Sequence, residues 1–241
     1  MTVNKDWTCS CGTVNTGYYC SNCALAKPLL KESKDWICSC GTVNTGNFCS
    51  NCGKKKGEQQ ANLFKNANVG GYIQMGSYPQ TATCAIKPIE WQVLSRESNK
   101  MLVISKYGLE SRRFDEDSNN WRNSEICQWL NNEFYNKVFN KNEKKNIKKP
   151  LWGGDKVFLL TKEDVKKYFL NDNTRRCKAT EYTLKNGAHV NIYDGYSWWW
   201  LRSYKVNTNN RVYCIDHNGV IFYYRTNATD ILVRPAMWIN I

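Results

Sequence analysis

The stretch "IEWQVLSRESNKMLVI", residues 89–104, decides the fold class of the larger part of this chain. Ile89, Trp91 and Val93 alternate with Glu90 and Gln92, the period of two that turns one side of an extended chain to a core and the other to solvent. "MLVI", residues 101–104, is apolar throughout and reads as a second strand, which we expect to pair with the first. Further on the period changes to that of a helix. In "NSEICQWLNNEFYNKVF" the residues Ile126, Trp129, Leu130, Phe134 and Val138 fall on one helical face, with Ser124 as N-cap and Glu125 in the first turn. Strands and helices in separate runs make an α+β domain.

Outward from there the pattern continues. Lysines dominate residues 137–149 as a solvated face, and Pro150 ends whatever helix they form. "VFLLTKEDVKKYF", residues 157–169, predicts an apolar strand and then a helix, with Thr161 and Asp164 spaced as a capping box and Val165, Tyr168 and Phe169 inward. Trp198, Trp199 and Trp200 read as core, because three adjacent tryptophans point in different directions. "RVYCIDHNGVIFYY", residues 211–224, predicts a hairpin around the favoured two-residue turn Asn218-Gly219. "ILVRPAMWINI" predicts a closing strand, with Pro235 at an edge or bend.

The N-terminal quarter is different. "WTCSCGTVNTGYYCSNC", residues 7–23, returns as "WICSCGTVNTGNFCSNC", residues 36–52; from Lys5 against Lys34 onward, 16 of 19 aligned positions are identical. Each copy presents two close cysteine pairs, the arrangement of a tetrahedral thiolate site, with Gly12 or Gly41 suited to the tight turn. Cys9, Cys11, Cys20 and Cys23 are expected to hold one structural Zn²⁺, and Cys38, Cys40, Cys49 and Cys52 a second. Cysteines two apart are strained as disulfides, and each copy is too short to bury a core, so its folding free energy would come from the metal. The expected organisation is residues 1–27 zinc ribbon 1, 33–56 zinc ribbon 2, 57–69 a polar linker and 70–241 the large domain.

The totals bound the function. Lys+Arg 34 against Asp+Glu 21 gives a formal charge of +13, lowered to about +9 by two Zn²⁺ on eight thiolates. Polyanions or acidic surfaces are therefore the natural partners. No stretch is apolar for long enough to span a membrane and the N-terminus lacks a secretory layout, so we expect a cytoplasmic protein whose cysteines are thiols or ligands.

Two resemblances add to this. Trp7 and Trp36, with Asn15 and Asn44, stand where the Ran-binding-protein type of zinc finger has a Trp before the first Cys and an Asn between the knuckles. Some members of that family bind single-stranded RNA through the Trp and arginine forks. Here no arginine precedes Arg96, so Lys54, Lys55 and Lys56 could touch phosphate but not read guanine. Along residues 70–241, "YIQMGSYPQT", "IEWQVLSRE", "LVISKYGLESRRF", "WLNNEFYNKVF", "WWLRS" and "VRPAMW" resemble an uncharacterised-domain family common in gut Firmicutes. Its layout is similar to the C-type-lectin-like fold shared with sulfatase-modifying factors. Members commonly follow "WWLRS" with Pro-Gly, whereas this chain has Tyr204-Lys205.

The C-type-lectin-like resemblance implies a binding face near the C-terminus, and in some such proteins that face is rewritten by a diversity-generating retroelement. The expected ligand surface is Tyr204, Asn207, Asn209, Asn210, Tyr223, Tyr224, Asn227 and Asp230, with ordinary turn and strand residues as the competing reading. Asparagine does not decide between them, because 5 of 27 residues in 204–230 compare with 29 of 241 overall. The expected function is a ligand-binding module, with a protein partner, zinc-ribbon docking appendages, no membrane role and room for oligomers. The alternatives are nucleic-acid binding through the basic ribbons and an enzyme of unknown reaction. For catalysis only His189, His217 and Cys214 stand out, no phosphate-cradling Gly motif is present, and no pair of C-terminal cysteines exists, so no catalytic residue is assigned.

Overall fold

A computed structural model describes residues 7–8, 13–15, 22, 36–37, 42–53, 55, 64, 66–148 and 154–241. The chain divides into two units, Met1–Gln59 and Gln60–Ile241.

In the first unit the duplication reappears as geometry. Strands β1 (Trp7–Thr8) and β2 (Val14–Asn15) pair with Trp7 opposite Asn15, and β3 (Trp36–Ile37) and β4 (Val43–Asn44) pair with Trp36 opposite Asn44. Equal sequence has produced equal register. Asn44 is buried, and its side-chain oxygen accepts from the Ser50 amide (2.8 Å) and hydroxyl (3.1 Å) while its Nδ2 donates to Thr42 O (2.8 Å). One asparagine thus ties the hairpin to the turn that carries Cys49 and Cys52.

The second unit is α+β, with more strand than helix. β5 (Tyr72–Pro79), β6 (Ile86–Arg96), β7 (Lys100–Ser105) and β15 (Ala236–Asn240) form an antiparallel sheet in the order β15-β7-β6-β5. A five-stranded sheet has the order β13-β12-β11-β14-β8, from β8 (Glu110–Ser111), β11 (Trp199–Tyr204), β12 (Arg211–Ile215), β13 (Ile221–Arg225) and β14 (Leu232–Val233); only β11 and β14 run parallel. A short pair, β9 (Cys177–Lys178) with β10 (Tyr196–Ser197), completes the strands.

The continuous apolar run of β7 has a physical reason. Met101 and Val103 enter one core cluster with Ile73, Trp91 and Phe134, while Leu102 and Ile104 enter another with Leu160, Val165 and Trp199. A strand covered on both faces has no position left for a polar residue. The tryptophans obey the same alternation: Trp200 joins the first cluster and Trp199 the second, both fully buried, while Trp198 stays half-buried. Each buried indole donates to a carbonyl, Trp199 to Arg175 O (3.0 Å) and Trp200 to Arg112 O (2.9 Å). Arg234 is buried too, donating to Ser105 O (2.9 Å) beneath the Trp199 ring at 5.0 Å. Phe64 also lies in the first cluster, and Arg96 donates to its carbonyl.

The helix α1 (Glu125–Trp129) starts at Ser124, whose hydroxyl accepts from the Cys127 amide. It runs on through a π-turn, Leu130–Phe134, into Tyr135–Val138, burying the expected apolar face. At the π-turn Asn131 accepts from the Lys156 amide (2.7 Å) and donates to Val157 O (2.9 Å), which fixes the next segment. That segment departs from expectation. Residues 157–160 are buried but form no strand, only an isolated bridge from Phe158 to Ala236, because Asn131 and the chain near Ala236 take up their backbone groups. The following helix α2 (Lys162–Tyr168) has the Thr161/Asp164 capping box. Pro150 lies outside the described residues. Pro235 separates β14 from β15, so the expected single closing strand is two strands in two sheets.

Candidate functional site

The hairpin β12–β13 is the scaffold of the site. Its register puts Ile215 opposite Ile221, so residues 216–220 form the loop rather than a two-residue turn. Asp216 closes that loop, its carboxylate accepting from the amides of Asn218 (2.9 Å) and Val220 (2.8 Å). Gly219 sits at φ +87, against the backbone of Asp172. Alternation then sorts the hairpin into two faces. Val212, Cys214, Phe222 and Tyr224 share one, and Arg211, Tyr213, Tyr223 and Arg225 share the other.

On the first face Trp198 meets Phe222 (ring centres 5.8 Å apart, planes at 77°) and Tyr224 (5.4 Å, 75°). Beside these rings opens a cavity of about 350 Å³ lined by His189, Trp198, His217, Tyr224, Asp230 and Ile231. The only two histidines of the chain therefore share one cleft. Each is held by its backbone. The His189 amide donates to Asp230 O (3.1 Å) and its carbonyl accepts from the Ser197 hydroxyl. The His217 carbonyl accepts from Arg176 Nε (2.9 Å). Arg176 in turn pairs with Asp194 and lies 3.7 Å over the Tyr196 ring. The Tyr196 amide and Arg176 hold the exposed Asp194 carboxyl below its ordinary range. The Trp198 indole N–H donates to His217 Nδ1 (3.3 Å), and an indole can only donate, so the proton of neutral His217 stands on Nε2.

Among the described residues neither imidazole is hydrogen-bonded to a carboxylate, the arrangement that would orient a general base. The Ser197 hydroxyl is engaged by carbonyls, and burial pushes the Cys214 thiol up, away from the reactive thiolate. What remains is ring surface, two imidazoles and one carboxylate.

A second cavity, about 450 Å³, is lined by Trp121, Lys162, Arg202, Tyr204 and Tyr213 among others. Asp155, which accepts from the Trp121 indole of that cavity, also meets Cys127, and burial, followed by Asp155, pushes the Cys127 thiol up to about 12.

The structure distributes the expected ligand residues rather than assembling them. Tyr224 and Asp230 meet at the first cavity, and Tyr204 lines the second. Tyr223, next to Tyr224, faces the opposite side of the sheet. Asn207 takes a left-handed φ of 63 in the β11–β12 connection. Asn209 and Asn210 use their carbonyls to bind the Asn119 and Thr226 amides. Asn227 is exposed just beyond β13. His189, His217, Trp198 and Phe222 were not among the expected ligand residues. No local motif announces them, because the two histidines meet only through tertiary folding.

Two expectations are corrected. Among the described residues no group of three or more His, Cys, Asp or Glu is placed to hold a metal ion, whereas a zinc ribbon needs four convergent donors. Among those residues, the description of the chain as a metal-binding zinc-ribbon protein is not supported. Of the eight expected ligands Cys49 is buried and Cys52 exposed, while Cys9, Cys11, Cys20, Cys23, Cys38 and Cys40 lie outside the described residues. The description as a retroelement variable protein is also withdrawn, since nothing in the structure or the matching family supports it and several of the Asn positions serve the fold's own turns.

Among the described residues no helix is long and apolar enough to cross a membrane. Residues 98–241 match a family described as a domain of unknown function (DUF6273). No curated protein and no solved structure matches the chain.

Proposed function

We propose that this chain, which belongs to the DUF6273 family, is a ligand-binding protein that recognises another protein through its C-terminal sheet. The observation that carries the reading is the cleft where Trp198, Tyr224, His189, His217 and Asp230 converge. Its size suits one or two side chains of a partner, and Trp and Tyr contribute large, rigid contact area with a polar tip. Phe222 and Tyr224 lie exposed on an edge strand, where a partner can reach them. The reading of the second unit as C-type-lectin-like is supported by β15, which returns after the Trp-rich segment to the sheet of β5, β6 and β7.

The test is selection from a peptide library displayed on phage, panned against the full chain and then against Tyr224→Ala and Asp230→Asn. Both residues are exposed, so neither substitution should unfold the protein. Peptides that enrich on the wild type and are lost on both variants support the cleft. Failure to enrich any sequence, or enrichment indifferent to both variants, refutes it.

A further inference from the structure

The other face of the β12–β13 hairpin is built differently. Arg211 and Arg225 stand directly opposite one another across the strands. Like charges in that position repel. Lys205 Nζ lies 4.9 Å and the Arg211 guanidinium 5.6 Å from the centre of the Tyr223 ring, so three cations gather at one end of the hairpin. Among the described residues none of Lys205, Arg211 and Arg225 has a salt bridge. The stripe continues through Tyr213, which meets Tyr223 edge-on at 6.3 Å and carries Lys162 Nζ at 4.5 Å. Beyond it Arg202 lines the second cavity. An uncompensated cross-strand pair of arginines beside further cations is a standing cost to the fold that an anionic partner would remove.

The edge of the sheet says what form that partner takes. β13 is the outermost strand in the order β13-β12-β11-β14-β8, and among the described residues nothing pairs with its outer edge. Apart from the Arg225 carbonyl, which accepts from the Ala228 amide (3.3 Å), its outward N–H and C=O groups can accept one more strand. A strand added there places every second side chain on the face of Arg211, Tyr223 and Arg225. We infer that the outer edge of β13 takes an extended, acidic segment of a partner protein, pairing with the strand through its backbone while alternate Asp or Glu side chains meet Arg211, Arg225 and Lys205. Single-stranded nucleic acid shares the anionic chemistry but binds basic grooves by stacking bases on open aromatic faces. Here Tyr213 and Tyr223 already carry Lys162, Lys205 and Arg211, so their faces are engaged. The histidine cleft lies on the opposite face, and the two meet at the strand edge where the Phe222 ring stacks on Tyr223 (5.2 Å, planes at 4°).

Fluorescence anisotropy of a short dye-labelled peptide of alternating Glu and Val, titrated with the full chain at low salt, tests the inference. We expect binding that weakens as salt rises, that is absent for the matching Lys and Val peptide, and that is lost when alternate peptide amides are N-methylated. Arg211→Gln with Arg225→Gln should weaken binding about tenfold or more, and Lys205→Gln should weaken it less. Far-ultraviolet circular dichroism confirms that the exposed-face variants fold. Equal binding by the double Arg variant, indifference to N-methylation, no binding of the acidic peptide, or tighter binding of an oligothymidylate of the same length would each overturn the inference.

Discussion

Replacing Gly219 by Ala measures how closely the hairpin carrying both proposed surfaces is seated on the body of the domain. Two costs are expected, and the structure separates them. The first is conformational: Gly219 has φ +87, and an L side chain in the left-handed region costs about 1–2 kcal/mol. The second is steric. A Cβ there would run first into the Asp172 carbonyl oxygen and lie 2.5 Å from its carbonyl carbon and 3.0 Å from its Cα, whereas carbon atoms settle at about 3.5–4.0 Å. The obstacle is backbone, at the start of the helix Asp172–Arg175, so no side chain can swing aside. Forcing the two segments apart by about 1 Å belongs with overpacking, about 1–3 kcal/mol. Together Gly219→Ala should cost about 2–5 kcal/mol, a large share of the ~5–15 kcal/mol that holds a domain folded. At about 2–4 °C per kcal/mol, Tm should fall by roughly 4–20 °C. Gly187→Ala is the control, since Gly187 has φ +93 with nothing within 4 Å of its Cβ position, and it should show only the first cost. Thermal and urea unfolding followed by circular dichroism give both values. If the two variants lose the same stability, or Gly219→Ala loses none, the hairpin does not press on Asp172 and the argument fails.

Three further outcomes follow from the packing. Trp200→Ala removes a fully buried indole and orphans the Arg112 carbonyl, so the urea midpoint should drop by the equivalent of about 3–5 kcal/mol with m unchanged; a loss below about 1 kcal/mol would contradict its place in the core. Asn131→Ala removes the bonds that hold Lys156 and Val157 at the π-turn; it should cost about 1–3 kcal/mol and speed hydrogen exchange of the Val157 amide, and an unchanged exchange rate would refute the clamp. Among the cysteines of the second unit, iodoacetamide at mildly alkaline pH should label exposed Cys84 first. Buried Cys127, whose raised pKa keeps it a thiol until the pH nears 12, should label slowly, with Cys177 and Cys214 likewise protected; mass spectrometry showing Cys127 modified as fast as Cys84 would count against its burial.

Local pattern in the chain was enough for elements whose stability is decided by their own neighbours. The alternation of Ile89, Trp91 and Val93 became β6, the apolar run 101–104 became β7, and the Ser124 and Thr161 caps stand where the spacing puts them. The duplicated phrase reappears as two hairpins of identical register, since identical residues meet identical local constraints. Where two distant segments compete for the same backbone groups, local reading stopped short. Residues 157–160 are as apolar as a strand, yet Asn131 and Ala236 engage their backbone instead. The Asn218-Gly219 turn widened because Asp216 closes a longer loop and Gly219 must fit against Asp172.

The candidate site divides in the same way. Sequence alone determined that Tyr223 and Tyr224 belong to a hairpin strand, but the expectation of one ligand surface for both fails, because neighbours in an extended chain face opposite sides. Only the tertiary structure decided that His189, His217, Trp198 and Asp230 share a cleft with Tyr224, and that Arg211 and Arg225 confront each other at an open sheet edge. Those meetings depend on which strand pairs with which and in what register. Side-chain period says which residues face a core or a surface, but only chain closure over long separations says which other residues they will meet there.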